Sequence, residues 1–292
     1  MVCAIAYSDL DEILMIKIIA WVGFLMSLVV IAQKFGFQQF WRVQNDGELL
    51  KMRHPELMGF MAQYTLVSAF MAICLPATLF IKKWWMSVVI SIAIILTTSH
   101  FGIICIPIVG LLYLCGRYKK YFPIVGGLIF IGLLYCLYLL RNHDEGRFGV
   151  WLQIYHDMTH PLFDNRLAES QGFTGFGAGA FSVFFPILHK SAWGQAHNEF
   201  MEFMFNNGIL GLGMLLASIV VFFKQAYKCF YNTTIQFCLF SFIIICILSN
   251  GTFLWHLGWG QFYTAVIIGL AYKVIIKKGE SNGIQSIIGT AG

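Results

Sequence analysis

A histidine and an asparagine lie at the entrance to a long apolar segment, and this pair has the side chains best suited to chemistry. His197 and Asn198 immediately precede the apolar run at residues 200–223. An imidazole at the boundary between water and hydrocarbon can titrate close to neutrality and accept a proton from a hydroxyl group. The alternative is an interfacial histidine that is hydrogen-bonded and has no catalytic role.

An arginine and a glycine-rich segment precede this pair. Arg147 opens a run that reaches Trp151, and its guanidinium suits a pyrophosphate because the fork matches two phosphate oxygens. Gly175 and Gly177 let the backbone approach a ligand closely and expose N–H groups, as anion-binding loops do. The alternatives are an interfacial anchor for the arginine, with Trp151 in the aromatic belt, and a tight turn for the glycines.

The composition predicts that a membrane positions these residues. Hydrophobic residues make up 59% of the chain, charged residues 11%, and the mean hydropathy is +0.74, which excludes a soluble globule with a charged surface. Because apolar runs of about 20 residues can cross hydrocarbon as helices, the sequence predicts an all-α, polytopic membrane helical bundle of about eight transmembrane helices. They are predicted at residues 13–32, 57–81, 84–98, 101–116, 122–140, 200–223, 235–250 and 260–276.

Lysine and arginine residues predict the orientation of the helices. Polar residues at 97–102 interrupt one long apolar run, which predicts two short helices that meet at one membrane face. With that turn, the basic residues of the short loops share one side with both termini, and that side is the cytoplasm. These residues are Lys82, Lys83, Arg117, Lys119, Lys120, Lys224, Lys228, Lys277 and Lys278.

The predicted organisation is a single transmembrane domain at residues 1–278, with a large periplasmic loop at 141–199 and a disordered cytoplasmic tail at 279–292. The net charge of +5 comes mainly from the cytoplasmic lysines and arginines, so it indicates membrane lipids and not nucleic acid as partners. None of the eight cysteines lies in a predicted external loop, which favours apolar packing over disulfides or metal binding.

Together these motifs resemble the bacterial O-antigen ligase and polymerase superfamily, multi-span enzymes that use polyprenyl-pyrophosphate-linked glycans at the periplasmic face. The resemblance covers roughly residues 55–225 and depends on the order of the motifs. The matching residues are Arg147 with Trp151, Gly175 with Gly177 and Phe181, His197 with Asn198, and Gly208 with Gly211.

The resemblance implies a glycosyltransferase of the bacterial inner membrane, of the ligase or the polymerase type. It would move a glycan from a polyprenyl-pyrophosphate carrier to a hydroxyl group of a lipid, glycan or protein acceptor. Arg147 would neutralise the charge that grows on the bridging oxygen, and His197 would accept the hydroxyl proton, with Asn198 orienting His197 or the sugar. Direct displacement would invert the anomeric configuration, and neither a cofactor nor a metal is expected.

One departure from the family pattern concerns the phosphate site. The family usually has Ser-Arg-Gly at the re-entrant turn, whereas this chain has Ser99 and His100 followed by Phe101 and Gly102. Either His100 takes over part of the phosphate role, or Arg141 or Arg53 fills it, or the activity is reduced. The predicted substrate-binding residues are therefore His100, Ser99, Arg141, Trp151, Gly175 and Gly177.

A second departure is the pair Asn206 and Asn207, which replaces the acidic residue that commonly precedes the glycine step.

The main alternative function is a transporter or flippase of lipid-linked or small substrates, because histidines and arginines inside a bundle also mark substrate paths. Few carboxylates lie within the predicted spans, which argues against a proton-coupled carrier. A non-catalytic membrane scaffold is the third possibility.

Overall fold

The protein is helical throughout the part of the chain that its structure, a computed structural model, describes. The described residues are 1–35, 64–116, 118–128, 131, 145–159, 172–177, 179–189, 198–249 and 258–289. All regular elements in these ranges are helices, which confirms the all-α prediction.

The helices are labelled in chain order. They are α1 Val2–Ala6, α2 Glu12–Lys34, α3 Tyr64–Phe80, α4 Trp84–Leu96, α5 His100–Cys115, α6 Glu145–Thr159, α7 Ala180–His189, α8 Glu199–Lys228, α9 Thr233–Leu248 and α10 Gly258–Gly289. A short 3-10 helix at Lys119–Tyr121 leads into helical residues 122–128.

Two of these helices, α2 and α8, are long and apolar enough to cross a membrane. Within the described ranges, α3, α4, α5 and α9 are apolar but have fewer than the 18 residues that this criterion requires, and the hydrocarbon core needs about 20. Their positions agree with the predicted apolar runs. The structure thus supports an apolar helical protein with two candidate spans, and the count of eight stays a prediction.

The chain divides into two compact units, whereas the sequence predicts one transmembrane domain. Unit 1 contains Met1–Phe122, Ala226–Leu248 and Gln261–Gly292. Unit 2 contains Pro123–Gln225 and Ser249–Gly260. Unit 2 therefore includes the predicted periplasmic loop at residues 141–199 and most of α8.

Unit 1 is a bundle in which α2, α3, α4, α5 and α9 pack through their side chains. Gly23 of α2 lies so close to α3 that a Cβ atom at residue 23 would overlap the Cβ of Cys74. One turn later, the hydroxyl of Ser27 donates to the carbonyl oxygen of Gly23 and contacts the sulfur of Met71. Twelve of the 16 residues of α9 are buried, because this helix is apolar on all sides.

The predicted break between α4 and α5 is present. The helix α4 ends at Leu96, and Thr98 has a positive φ of 56°, which turns the chain before α5 begins. The hydroxyl of Thr97 donates to the carbonyl oxygen of Ile94 at 2.6 Å and satisfies a carbonyl in the last turn of α4. Ser99 occupies the N-cap position of α5, and α5 starts at His100.

The helix α10 continues to Gly289, so the end of the helix does not coincide with the boundary predicted at residue 278. The helix includes the segment 279–289, which is part of the tail at residues 279–292 that is predicted to be disordered because it contains glycine and serine. Each of these residues costs only about 1 kcal/mol or less in a helix, and the segment contains no proline that would end it. A helix that has already formed can therefore extend through it.

Candidate active site

One hydrophobic core in unit 2 assembles the elements that carry the predicted catalytic motifs. Its side chains come from α6, α7 and α8, and Trp151 and Phe176 pack against it. The buried members of this core are Val150, Ile154, Met158, Ala180, Phe181, Phe185 and Phe205. The arginine motif, the glycine segment and the start of α8 are thus held by a shared set of apolar contacts.

The backbone of the glycine segment is hydrogen-bonded to α8. The N–H of Phe176 donates to the carbonyl oxygen of Phe205 at 3.0 Å, and the N–H of Gly177 donates to that of Asn206 at 2.9 Å. The side-chain oxygen of Asn206 accepts from the N–H of Phe181 at 2.8 Å, at the start of α7. We call these three hydrogen bonds the glycine clamp.

The clamp requires glycine at two facing positions. Gly175 and Gly208 have φ values of +80° and +69°, a backbone conformation that residues with a side chain rarely adopt. A Cβ atom at Gly175 would overlap the carbonyl oxygen of Asn206 and the nitrogen of Gly208. A Cβ atom at Gly208 would overlap the carbonyl oxygen of Phe173 and the nitrogen of Gly175. The two backbones therefore touch directly.

The same contact explains a break inside α8. Gly208 has a non-helical conformation, with φ 69° and ψ −177°, so residues 199–207 and 209–228 form two helical segments. This kink frees the carbonyl groups of Phe205 and Asn206 from helix bonds that would otherwise occupy them, and the glycine segment supplies the replacement donors.

This geometry corrects the expectation that the glycine segment presents its N–H groups to an anion. The N–H groups of residues 176 and 177 are already used by α8. Gly177 itself is exposed, and a Cβ atom placed there would meet no atom within 4 Å. Close approach of a ligand to Gly177 therefore stays a prediction, whereas the space beside Gly175 is filled by backbone.

Asn198 fixes the entrance to α8. Its side-chain oxygen accepts hydrogen bonds from the N–H groups of Phe200 and Met201, both at 3.1 Å, as an N-cap residue does. The N–H of Glu199 donates to the carbonyl oxygen of Ser249 at 2.9 Å. Asn198 is 7% exposed, and its side-chain oxygen is engaged at the start of the helix.

Among the described residues of this unit, three carboxylates are buried, and the sequence analysis did not predict them. Asp157, Glu199 and Glu202 are 3%, 4% and 4% exposed. Asp157 accepts a hydrogen bond from the amide of Gln153 at 3.0 Å, and the Nδ1 atom of His156 lies 3.8 Å from the same oxygen. A buried carboxylate is costly unless it is paired or protonated, so such groups often mark functional sites.

A helical spacing could have revealed two of these carboxylates. Asp157 follows the buried Ile154 by three positions, and Glu202 precedes the buried Phe205 by three, so each shares the buried face of its helix.

Of the predicted catalytic residues, the structure describes Asn198 fully and Arg147 only as a position in α6, one turn before Trp151. His197 and Arg141 lie outside the described residues. Trp151 is half-buried against the unit 2 core. The roles of all these residues in binding or catalysis stay predictions.

Ser99 and His100 belong to unit 1 and not to the unit that contains the other predicted site residues. Ser99 is buried, and its side chain makes no capping hydrogen bond to α5. His100 is exposed in the first turn of that helix. Their assignment to phosphate binding stays a prediction.

Comparison with known proteins adds no relative. No protein-family model, no curated protein and no solved structure matches this chain. Among the described residues, no group of three or more histidine, cysteine, aspartate or glutamate side chains could hold a metal ion.

Proposed function

We propose that this protein is a membrane glycosyltransferase of the O-antigen ligase or polymerase type, which transfers a glycan from a polyprenyl-pyrophosphate carrier to an acceptor hydroxyl. The observation that carries the proposal is the unit 2 core, because it packs the helix of Arg147, the glycine segment and the start of α8 together. Three motifs that are far apart in the sequence thereby belong to one compact unit.

The proposed roles follow from the chemistry of the residues. Arg147 binds the pyrophosphate and neutralises the charge that develops on the leaving oxygen. His197 removes the proton from the acceptor hydroxyl as the hydroxyl attacks the anomeric carbon and the carrier pyrophosphate departs. Asn198 acts as a positioning residue, since its oxygen caps α8 directly after His197.

The proposal places the protein in the bacterial inner membrane with both termini in the cytoplasm. Its support is the presence of two helices of membrane-spanning length, α2 and α8, beside further apolar helices. Only an arrangement with unit 2 at the periplasmic face lets the site meet the proposed donor.

The test is transfer by the purified full chain in lipid nanodiscs. The chain is supplied with a polyprenyl-pyrophosphate glycan and candidate acceptors, and the glycoside product is identified by mass. We expect His197→Ala to lower the transfer rate by about 100-fold or more, because general base catalysis contributes at least that much. Arg147→Lys retains the charge but loses the fork, and we expect a loss of about 10-fold.

The matched control is His156→Ala, which removes an exposed histidine from the same unit. It should leave transfer within twofold of the original chain. A chelator should have no effect. Transfer that survives His197→Ala at the original rate would overturn the assignment of the base.

A transporter is the second candidate, and the buried carboxylates favour it. Asp157, Glu199 and Glu202 are buried carboxylates in an apolar helical protein, and such groups often mark ion or substrate paths. The same nanodisc mixture separates the two functions. Movement of the lipid-linked glycan across the bilayer without a new glycosidic product would identify a carrier.

A further inference from the structure

A second polar site lies in unit 1, at the end of the bundle where α2 begins and α8 ends. A cavity of about 390 Å³ opens there between α2, α10, the end of α8 and the turn that follows α8. We call it the lysine cleft. It is lined by Glu12, Lys228, Cys229, Tyr231, Asn232, Val274, Lys277 and Lys278. Its volume lies in the range of small-ligand sites, which is about 300–1,000 Å³.

The charges that face solvent in the cleft are positive. Lys228, Lys277 and Lys278 are all exposed. Glu12 is the single carboxylate in this lining among the described residues, and it pairs with the Nζ atom of Lys277 at 2.9 Å. In that pair the lysine side chain is 64% exposed and the glutamate side chain only 19%. An incoming ligand therefore meets ammonium groups while the carboxylate is largely covered.

Backbone contacts hold the lysines over the cavity. The Nζ atom of Lys278 donates to the carbonyl oxygen of Lys228 at 3.3 Å, which links α10 to the end of α8. The buried Lys273, on the same helix, donates to the carbonyl oxygen of Leu10 and fixes α10 against the start of α2. The helices α8 and α10, which carry the three lysines, are thus hydrogen-bonded to neighbouring segments. This preorganisation lowers the entropy cost of binding an anion.

The remaining lining supplies neutral donors and an apolar floor. Tyr231 and Asn232 are exposed at the rim, and Cys229 and Val274 are buried beneath them. Ammonium, hydroxyl and amide donors above an apolar floor match a phosphate that is attached to a larger, partly apolar molecule. Because the apolar helices α2, α8, α9 and α10 all run into this end, the cleft lies where a phospholipid headgroup would lie beside them.

We propose that the lysine cleft binds the phosphate group of an anionic ligand, which is either a phospholipid headgroup or free phosphate. This site is separate from the residues of the proposed transfer reaction and does not depend on it.

The test is binding to the purified full chain in detergent, measured by native mass spectrometry. The probes are dioctanoyl phosphatidylglycerol, dioctanoyl phosphatidylcholine and inorganic phosphate. We expect phosphatidylglycerol to bind at least fivefold more tightly than phosphatidylcholine. Lys277→Gln combined with Lys278→Gln should weaken phosphatidylglycerol binding at least fivefold. The matched control is Lys82→Gln with Lys83→Gln, an exposed pair outside the lining that loses the same charge.

Misfolding of the lysine variants could also weaken phosphatidylglycerol binding, and Glu12→Gln separates the two explanations. We expect Glu12→Gln to tighten this binding by about twofold or more, because it releases Lys277 from its ion pair. Displacement of phosphatidylglycerol by inorganic phosphate at equal concentration identifies free phosphate as the ligand, and its failure to displace identifies the lipid headgroup. Equal weakening by the lining pair and the control pair would overturn the proposal. Equal binding of the two lipids would overturn it as well.

Discussion

The two units are held together by different kinds of contact. In unit 1, helices pack through side chains, as where Gly23 faces Cys74 or where the rings of Phe80 and Tyr113 meet edge to face with their centroids 5.8 Å apart. In unit 2, two of the three hydrogen bonds of the glycine clamp join backbone to backbone, and Gly175 and Gly208 leave no room for a side chain between them.

Because of this difference, the two units tolerate different amino-acid substitutions at their contacts. When a substitution creates a clash between two side chains, a smaller residue at the facing position can relieve it, because the smaller residue lacks the clashing atoms. A backbone contact cannot be relieved in this way, since every residue has the same carbonyl and nitrogen atoms. Unit 2 therefore has a fixed local geometry, which is what a catalytic constellation requires.

The largest expected effect follows from Gly208→Ala. The substitution puts a Cβ atom against the carbonyl oxygen of Phe173 and forces alanine to a φ near +69°. Together these should lower the free energy of unfolding by about 3 kcal/mol or more. Thermal unfolding followed by circular dichroism in detergent measures the loss.

The control for this prediction is Gly213→Ala in the same helix, where a Cβ atom meets nothing within 4 Å. We expect it to be neutral or to stabilise by up to about 1 kcal/mol, because alanine favours helices. Similar melting temperatures for the two variants would show that the clamp is not rigid.

A smaller effect is expected for Gly23→Ala in unit 1, where the added Cβ atom meets the Cβ of Cys74. Overpacking of this kind costs about 1–3 kcal/mol. The decisive measurement is the double variant with Cys74→Gly, which removes the clashing atom and should recover part of the melting temperature. If the second substitution lowers stability additively instead, the side-chain explanation for unit 1 is wrong.

The smallest effect is expected for Asn206→Ala, which removes the acceptor for the N–H of Phe181. The loss should be about 1 kcal/mol, and Asn206→Asp should cost less because it keeps an acceptor oxygen. Asn207→Ala is the neighbouring control, since the amide of Asn207 bonds only within its own helix, to the carbonyl oxygen of Phe203. A larger loss from Asn207→Ala than from Asn206→Ala in a denaturation experiment would contradict the clamp.

The positions of most of the apolar helices could be predicted, but their assembly could not. The break at residues 97–99 follows from polar residues in an apolar run, and α4 and α5 end and begin there. The glycine segment was open to two interpretations, ligand contact or structural turn. The hydrogen bonds to Phe205 and Asn206 favour the structural turn at residues 176 and 177. The local sequence does not indicate that these N–H groups have acceptors about 30 positions away.

The departure at Asn206 also has a structural counterpart that the sequence did not suggest. An asparagine replaces the acidic residue expected before the glycine step, and its side-chain oxygen binds the first turn of α7. Either side chain supplies an acceptor oxygen at that position.

By itself, the sequence determined that the protein is apolar and all-helical and where most of the described helices begin and end, because those properties depend on the composition and capping of neighbouring residues. Only the tertiary structure decided that Gly175 meets Gly208, that Asp157 and Glu202 are buried, and that lysines converge on one cleft. These features depend on contacts between distant segments, whose geometry is set by packing and not by local preference.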